Sequence, residues 1–211
     1  MIPIHDLFFF LLAALILVIS PGPNMIYLIS RSITQGRKAG LTSLAGVVCG
    51  FLFHIIMVSF GLTAVLFAVP YAYIILKALG TIYLLYLAYQ AIKPNSKNIF
   101  EVDKNMTIDR PGKLFTVGFL TNVLNPKVAV FYLSFFPQFM KPQYGSIFTQ
   151  SLELGLIQVF TSFTVNFIIV LTAAKAASFF AKNPVWIRIQ KWFMVSILVF
   201  LAVKMALSKA K

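Results

Sequence analysis

The chain has 211 residues, of which 60% are hydrophobic and only 11% are charged, and its mean hydropathy is +0.90. A soluble domain of this length carries far more charge, so the composition indicates an integral membrane protein. The formal net charge of +13 does not indicate a nucleic-acid-binding protein, because most of the basic residues lie in polar segments between apolar stretches.

Six apolar stretches are long enough to cross about 30 Å of hydrocarbon as helices. They do not alternate apolar and polar residues as the strands of a membrane barrel do. The first is interpreted as a retained helix, because it lacks the basic segment that precedes the apolar core of a signal peptide. The predicted spans are Leu7–Ile29, Leu41–Val69, Tyr71–Ile92, Leu114–Met140, Ile147–Phe180 and Val185–Leu207.

The basic residues predict the orientation of the chain. Three connections that fall on one side of a six-span protein are basic, whereas the connections on the other side are nearly neutral. The positive-inside rule makes the basic side cytoplasmic and places both termini outside. The basic connections contain Arg31, Arg37 and Lys38, then Lys93, Lys97, Lys104, Arg110 and Lys113, and finally Lys182, Arg188 and Lys191.

Two of the predicted spans carry prolines in their interior. Ser20-Pro21-Gly22-Pro23-Asn24 interrupts the first span, and Asn122-Val123-Leu124-Asn125-Pro126-Lys127 interrupts the fourth. Proline removes a backbone hydrogen bond and breaks or kinks a helix, and the freed backbone groups need partners in hydrocarbon. Broken helices at corresponding places in two halves are typical of a transporter with a binding site near the membrane midplane.

The long polar segment Lys93–Lys113 divides the chain into two blocks of three spans, 1–92 and 114–211. An odd number of spans in each block inserts the second block upside down relative to the first. The sequence therefore predicts an all-α membrane protein of six transmembrane helices. We expect two inverted three-helix repeats, with helices 1 and 4 broken by proline and residues 93–113 forming a cytoplasmic linker.

Ionisable residues within spans are costly to bury and are functional candidates by default. Lys127 directly follows the second break, where it pairs with a carboxylate, a carbonyl or a substrate anion, or caps the broken helix. Glu153 is the only acidic residue within a predicted span. His54 lies in the middle of the second span, where it is either a proton relay or a packing residue.

Small residues in the second span predict close helix packing. Gly46 and Gly50 are four residues apart and let a neighbouring backbone approach. Cys49, the single cysteine, excludes a disulfide or a thiolate metal cluster within one chain. We interpret it as a small residue at a helix contact.

The motifs in both halves resemble those of one family. In the first half, Pro21-Gly22-Pro23-Asn24 is followed by Tyr27, Ser30 and Gly36-Arg37-Lys38-Ala39-Gly40-Leu41. The second predicted block contains the matching motif, Asn122-Val123-Leu124-Asn125-Pro126-Lys127. The third span, which ends the first block, contains Gly80-Thr81-Ile82-Tyr83-Leu84-Leu85-Tyr86-Leu87. Together these residues resemble the LysE/RhtB family of bacterial amino-acid exporters over essentially the whole chain.

The resemblance implies a multi-pass protein of the bacterial inner membrane that exports amino acids or close derivatives, driven by the proton gradient. It implies a secondary transporter rather than an enzyme, with no cofactor or bound metal. Its expected partners are a small-molecule amino-acid substrate, protons and the lipid bilayer, with no nucleic acid. The sequence leaves the oligomeric state open between a monomer and a homodimer.

The expected substrate site follows from the chemistry of an amino-acid zwitterion. Amides at the starts of the half-helices, aided by Lys127, suit the carboxylate, while freed carbonyls and asparagine oxygens suit the ammonium group. The predicted substrate-binding residues are Pro21, Gly22, Pro23, Asn24, Asn122, Asn125, Pro126 and Lys127.

Two positions depart from the family pattern, and one of them affects the expected proton coupling. Asn24 stands where many members have aspartate, and Ala88 stands where glycine is frequent. Because Asn24 does not titrate, we expect Glu153 to couple export to protons, with His54 as the alternative.

Two other functional classes fit the sequence less well. An intramembrane enzyme needs a nucleophile with a base or a metal cluster, and neither GxSxG nor HExxH occurs. A cation or metal-ion exporter or channel needs clustered carboxylates, and only Glu153 is available in a span. That second class remains the alternative, because carbonyls and asparagines also hold cations.

Overall fold

Helices account for almost all of the chain that the computed structural model describes, namely residues 2–20, 22–62, 72–93, 108–182 and 184–207. These ranges contain no strand, in agreement with the predicted all-α class. Pro21, the predicted end of the second span at Val69 and most of the predicted linker 93–113 lie outside them. In chain order the α-helices are α1 (Ile4–Ile19), α2 (Pro23–Thr34), α3 (Gly36–Met57), α4 (Ala72–Ile92), α5 (Pro111–Val123), α6 (Pro126–Val130), α7 (Ile147–Lys182) and α8 (Pro184–Leu207).

The first predicted span is broken at its prolines. The axes of α1 and α2 are bent by 53° relative to each other. The Ser20 amide donates to the Ile16 carbonyl at 2.9 Å and closes α1. Pro23, which has no amide hydrogen, begins α2, where the first helical turn needs no donor from it. The predicted break in helix 1 is therefore confirmed.

The second predicted break is also present. α5 and the helical segment that starts at Pro126 are bent by 45°. The Leu124 amide donates to the Leu120 carbonyl at 2.9 Å, and the Asn125 amide donates to the Asn122 carbonyl at 3.0 Å. These bonds complete the end of α5 before Pro126 starts α6, because buried backbone groups need partners.

The chain beyond the second break departs from a regular α-helix. α6 continues as a π-helical segment at Phe131–Phe135 and a 3₁₀ turn at Phe136–Gln138. Four phenylalanines around this segment form what we call the aromatic cluster. In it the Phe10 ring of α1 lies 5.1 Å from the Phe136 ring, 5.4 Å from the Phe139 ring and 5.8 Å from the Phe131 ring, measured between centroids.

By length and composition, the described helices supply between two and four membrane spans. Gly36–Gly61 and Ile147–Lys175 qualify singly, and each bent pair qualifies if it is counted as one span. Of the remaining helices, α4 has 21 residues and α8 has 24, and they pack against each other.

The predicted close packing at the small residues of the second span is confirmed. A Cβ atom added to Gly46 would lie 2.1 Å from the Phe115 carbonyl oxygen of α5. One added to Gly118 of α5 would lie 2.3 Å from the Ser43 carbonyl oxygen of α3. Neither contact leaves room for a methyl group, so glycine at both positions sets the separation of α3 and α5. This contact fixes α5 and the second break against α3.

We expect Gly46→Ala to destabilise the protein by about 1–3 kcal/mol or more, because the new methyl group meets backbone that cannot move aside alone. Gly112→Ala is the matched control, since a Cβ atom there has nothing within 4 Å. Thermal unfolding of the two purified variants in detergent measures the difference. Equal melting temperatures would show that the contact between α3 and α5 does not contribute to stability.

Candidate functional site

The two breaks are joined by the side chain of Lys127. Its Nζ donates hydrogen bonds to the Ser20 carbonyl at 2.6 Å and to the Leu17 carbonyl at 2.8 Å. Both carbonyls belong to the end of α1, where the helix leaves its last carbonyls without partners within the helix. Lys127 is only 7% exposed. The positive charge of the second break therefore lies at the negative end of the α1 dipole.

Gly22 provides the space through which Lys127 reaches α1. A Cβ atom at Gly22 would lie 3.0 Å from the Lys127 Nζ and 3.2 Å from its Cε. The Gly22 backbone is extended, with φ of −172°, so larger residues can adopt its conformation. Glycine leaves space beside the ammonium group, and a larger residue would require the end of the Lys127 side chain to shift.

The helix starts at the two breaks are capped differently. The Asn125 side-chain Oδ1 accepts a hydrogen bond from the Lys127 amide at 3.0 Å and caps the start of α6. The start of α2 has no such side-chain cap, because Gly22 holds the capping position. The amides at the start of α2, which carry positive partial charge, therefore have no side-chain cap, while the second break caps one of its own amides.

Three asparagines at the breaks are buried and incompletely hydrogen-bonded. Asn24, Asn122 and Asn125 are 8%, 0% and 1% exposed. Among the described residues, no partner contacts the Asn24 Oδ1, either side-chain amide atom of Asn122, or the Asn125 Nδ2. A buried polar atom without a partner costs about 1–3 kcal/mol, so atoms of this kind mark a place where a polar ligand gains most.

His54 connects α3 to the second break. Its Nε2 lies 3.3 Å from the Asn122 carbonyl oxygen, which only accepts, so Nε2 carries the proton in this contact. The His54 ring stacks on Tyr132 at 5.2 Å between centroids, with an angle of 12° between the ring planes. Gly50 gives Asn122 room, since a Cβ atom there would lie 2.6 Å from the Asn122 Cβ.

An ion-pair network links the end of α2 to the start of α5. Asp109 accepts from Lys113 at 2.6 Å and from Arg31 at 2.8 Å, and its amide donates to the Gln35 Oε1 at 2.9 Å. The hydrogen bond from Lys113 and the positive charge of Arg31 lower the pKa of the Asp109 carboxyl group. Tyr27 adds a hydrogen bond from its hydroxyl to the Leu114 carbonyl at 2.8 Å.

A second network lies at the start of α1. Asp6 accepts from the Tyr144 hydroxyl at 3.2 Å and lies 3.6 Å from the Lys141 ammonium group. The hydrogen bond to Tyr144 raises the pKa of Lys141, and the nearby Asp6 carboxylate adds to this. Each network therefore joins residues of the predicted first repeat to residues of the second half of the chain.

Glu153, the expected proton-coupling residue, lies in the second turn of α7 and is half-buried. It takes part in none of the contacts described above, whereas His54 touches the second break directly. Cys49 is free and half-buried in α3. Within the described residues, no group of three or more histidine, cysteine, aspartate or glutamate side chains is placed to hold a metal ion.

Residues 15–209 match the family described as LysE type translocator. The chain belongs to this family. It is also 32% identical over 152 residues to the homoserine/homoserine lactone efflux proteins of Salmonella typhimurium and Salmonella typhi, with 72% of each chain covered. An uncharacterized membrane protein of Pseudomonas aeruginosa is 25% identical over 186 residues, covering 85% of each chain. No solved structure matches the chain.

The LysE type translocator family and the membrane-protein relative agree with the apolar helices in placing the chain in a membrane as a multi-pass protein. The resemblance of the break motifs to this family is thus confirmed over most of the chain.

Sequence reasoning missed a polar row on α7 of this translocator. Gln158, Ser162 and Asn166 recur every four residues and are buried, with the Gln158 Nε2 donating to the Ser162 Oγ at 2.8 Å. Gly155, three residues before the row, packs on Ile55 of α3. Polar residues at this spacing in an apolar helix are the signal that would have found the row.

Sequence reasoning also missed Tyr132, which is fully buried in the π-helical segment after α6. No described residue partners its hydroxyl. Tyr132 is notable for its stacking on the His54 ring, which depends on the fold. No periodic pattern distinguishes Tyr132 from its neighbours in this phenylalanine-rich stretch.

Proposed function

We propose that this LysE type translocator exports amino acids or close derivatives across the bacterial inner membrane by antiport with protons. One observation carries the proposal: Lys127 joins the two broken helices, and buried polar atoms beside the breaks have no hydrogen-bond partner among the described residues. Among the described residues, no three or more histidine, cysteine, aspartate or glutamate side chains lie together to hold a metal ion.

The first break suits the carboxylate of an amino-acid zwitterion. The start of α2, which has no side-chain cap, offers backbone amides at the positive end of a helix dipole, and Asn24 lies in that first turn. At the second break, both side-chain amide atoms of Asn122 and the Asn125 Nδ2 have no partner among the described residues. The predicted binding set Gly22, Pro23, Asn24, Asn122, Asn125, Pro126 and Lys127, with Pro21 beside it, therefore forms the proposed site.

The proposed cycle moves two inverted three-helix repeats, 1–92 and 114–211, against each other around this site. The equivalent breaks support this arrangement. So do Asp6 and Asp109, because Asp6 precedes Pro23 by the same number of residues as Asp109 precedes Pro126. Each aspartate takes part in an ion-pair network between the two halves. If the Asp6 network and the Asp109 network open one at a time, the site would be accessible from only one side of the membrane at each step.

Two relatives are named for efflux of homoserine and homoserine lactone, so we propose a small polar amino acid of this type as the substrate. Unpartnered amide atoms favour a substrate with its own hydroxyl or carbonyl group, because such a group satisfies them and an apolar side chain does not.

Cells that overproduce the protein should release labelled homoserine, after preloading, several-fold faster than cells with an empty vector. Asn24→Leu should reduce this gain about tenfold or more, because it removes a buried polar group from the site. Thr42→Val is the control, since the Thr42 hydroxyl donates to the Lys38 carbonyl of its own helix on an exposed face. Release of metal ions but of no amino acid would contradict the proposal and favour the cation exporter.

The proposed orientation places the ion-pair network of Asp109 in the cytoplasm and that of Asp6 outside. In a Cys49→Ala background, Gln143→Cys should react with a membrane-impermeant maleimide in intact cells, and Lys38→Cys should react only after lysis. Both positions are exposed at helix ends, so accessibility differs only by side of the membrane. The reverse labelling pattern would invert the orientation.

Proton coupling is proposed to use Glu153, which lies half-buried within α7. In proteoliposomes, Glu153→Gln should exchange substrate between equal pools at a near-normal rate but lose accumulation driven by a pH gradient, because no carboxylate remains to carry the proton. Substrate uptake against a pH gradient measures this directly.

His54→Ala is the comparison variant for coupling. If it loses pH-driven accumulation while Glu153→Gln keeps it, the coupling residue is His54, which contacts the second break. If both variants accumulate substrate normally, the proposal that either residue couples transport is wrong.

A further inference from the structure

We propose that the Lys127 ammonium group occupies the binding position of the substrate's own ammonium group, and that substrate displaces it during transport. This inference rests on the proposed function and assigns a site for a primary ammonium ion at the end of α1. The site consists of the Leu17 and Ser20 carbonyl oxygens, beside the start of α2.

The contacts of Lys127 are those that an amino-acid ammonium group requires. An ammonium group has three donors and no acceptor, and Nζ places two of them on carbonyls at 2.6 and 2.8 Å. Gly22 lies beside the ammonium group, and its lack of a side chain leaves that group adjacent to the start of α2. A bound zwitterion with its ammonium group here would have its carboxylate within reach of the uncapped α2 amides.

Competition follows from this geometry. Two ammonium groups do not share two carbonyls at hydrogen-bond distance, because like charges in a buried site repel strongly. When the substrate's ammonium group binds, Lys127 must leave, and its flexible four-carbon stem permits that movement. When the substrate departs, Lys127 returns and satisfies the carbonyls again.

The proposed exchange explains how the protein could return to its starting conformation without substrate while the carbonyls at the end of α1 keep a hydrogen-bond partner. In hydrocarbon each unsatisfied backbone group costs several kcal/mol. Lys127 supplies the missing partner in the return step, and the substrate supplies it in the export step. The protein would then carry a positive charge against these carbonyls throughout the cycle.

The named substrates of the relatives agree with an ammonium site as the shared element. Homoserine has an ammonium group and a carboxylate, whereas its lactone keeps the amino group and converts the carboxylate to an ester. A site that grips the amino group accepts both compounds, while one built on pairing Lys127 with a carboxylate does not.

Lys127→Met tests the exchange, because it removes the competing cation and keeps the length of the side chain. We expect the purified variant to bind n-propylamine about tenfold more tightly than the wild type. Binding of propionate, which lacks an amino group, should be unchanged. Lys175→Met is the matched control, since Lys175 is exposed near the end of α7.

In the same variant, substrate exchange and net efflux should respond differently. Exchange between two substrate pools should continue in proteoliposomes, because a substrate ammonium group fills the site in both directions. Net efflux into substrate-free buffer should fall at least tenfold, because the return step lacks its cation. Loss of propylamine and propionate binding together, or loss of exchange along with efflux, would overturn the inference.

A measurement on the wild type keeps the inference testable if Lys127→Met does not fold. Reductive methylation of Lys127, followed by mass spectrometry with the reagent in excess over ligand, reports how exposed its amine is. Homoserine should increase methylation several-fold, and unchanged or decreased methylation would contradict displacement. If the wild type neither binds nor transports homoserine or other amino acids, the proposed function fails instead, independently of Lys127.

Discussion

The hydrogen bonds from Lys127 to the end of α1 are the interaction on which the rest of the structure depends. A helix broken inside a membrane exposes carbonyls that lipid does not satisfy. Here the partner comes from the other break, more than a hundred residues later in the chain. Gly22 gives Lys127 its path, and the contact of α3 with α5 holds the second break in reach.

The two breaks have similar prolines but different states of hydrogen bonding. Asn125 caps the second break, and Lys127 extends from it to the first. The first break has no side-chain cap and is flanked by glycine. The second break thus satisfies part of its own backbone with a side chain, whereas the start of α2 at the first break has no side-chain cap.

The sequence predicted what depends on local chemistry and missed what depends on distant contacts. Prolines located both breaks, and glycines located the packing of α3, because each acts on its own backbone. Lys127 was recognised as important, but its choice between carbonyls and a carboxylate depended on where α1 ends in space. Tyr132 and the π-helical segment that contains it were missed, since phenylalanine-rich segments give the same pattern in either helix type.

The aromatic cluster has a consequence for leakage. Phe10 and Phe136 are fully buried and packed ring against ring with Phe131 and Phe139, between the breaks and the network of Asp6. A layer of close-packed aromatic rings leaves no chain of hydrogen-bonding groups along which water could line up. Protons hop along chains of hydrogen-bonded water, so we expect the four packed rings to hinder the passage of water and protons at this point of the protein.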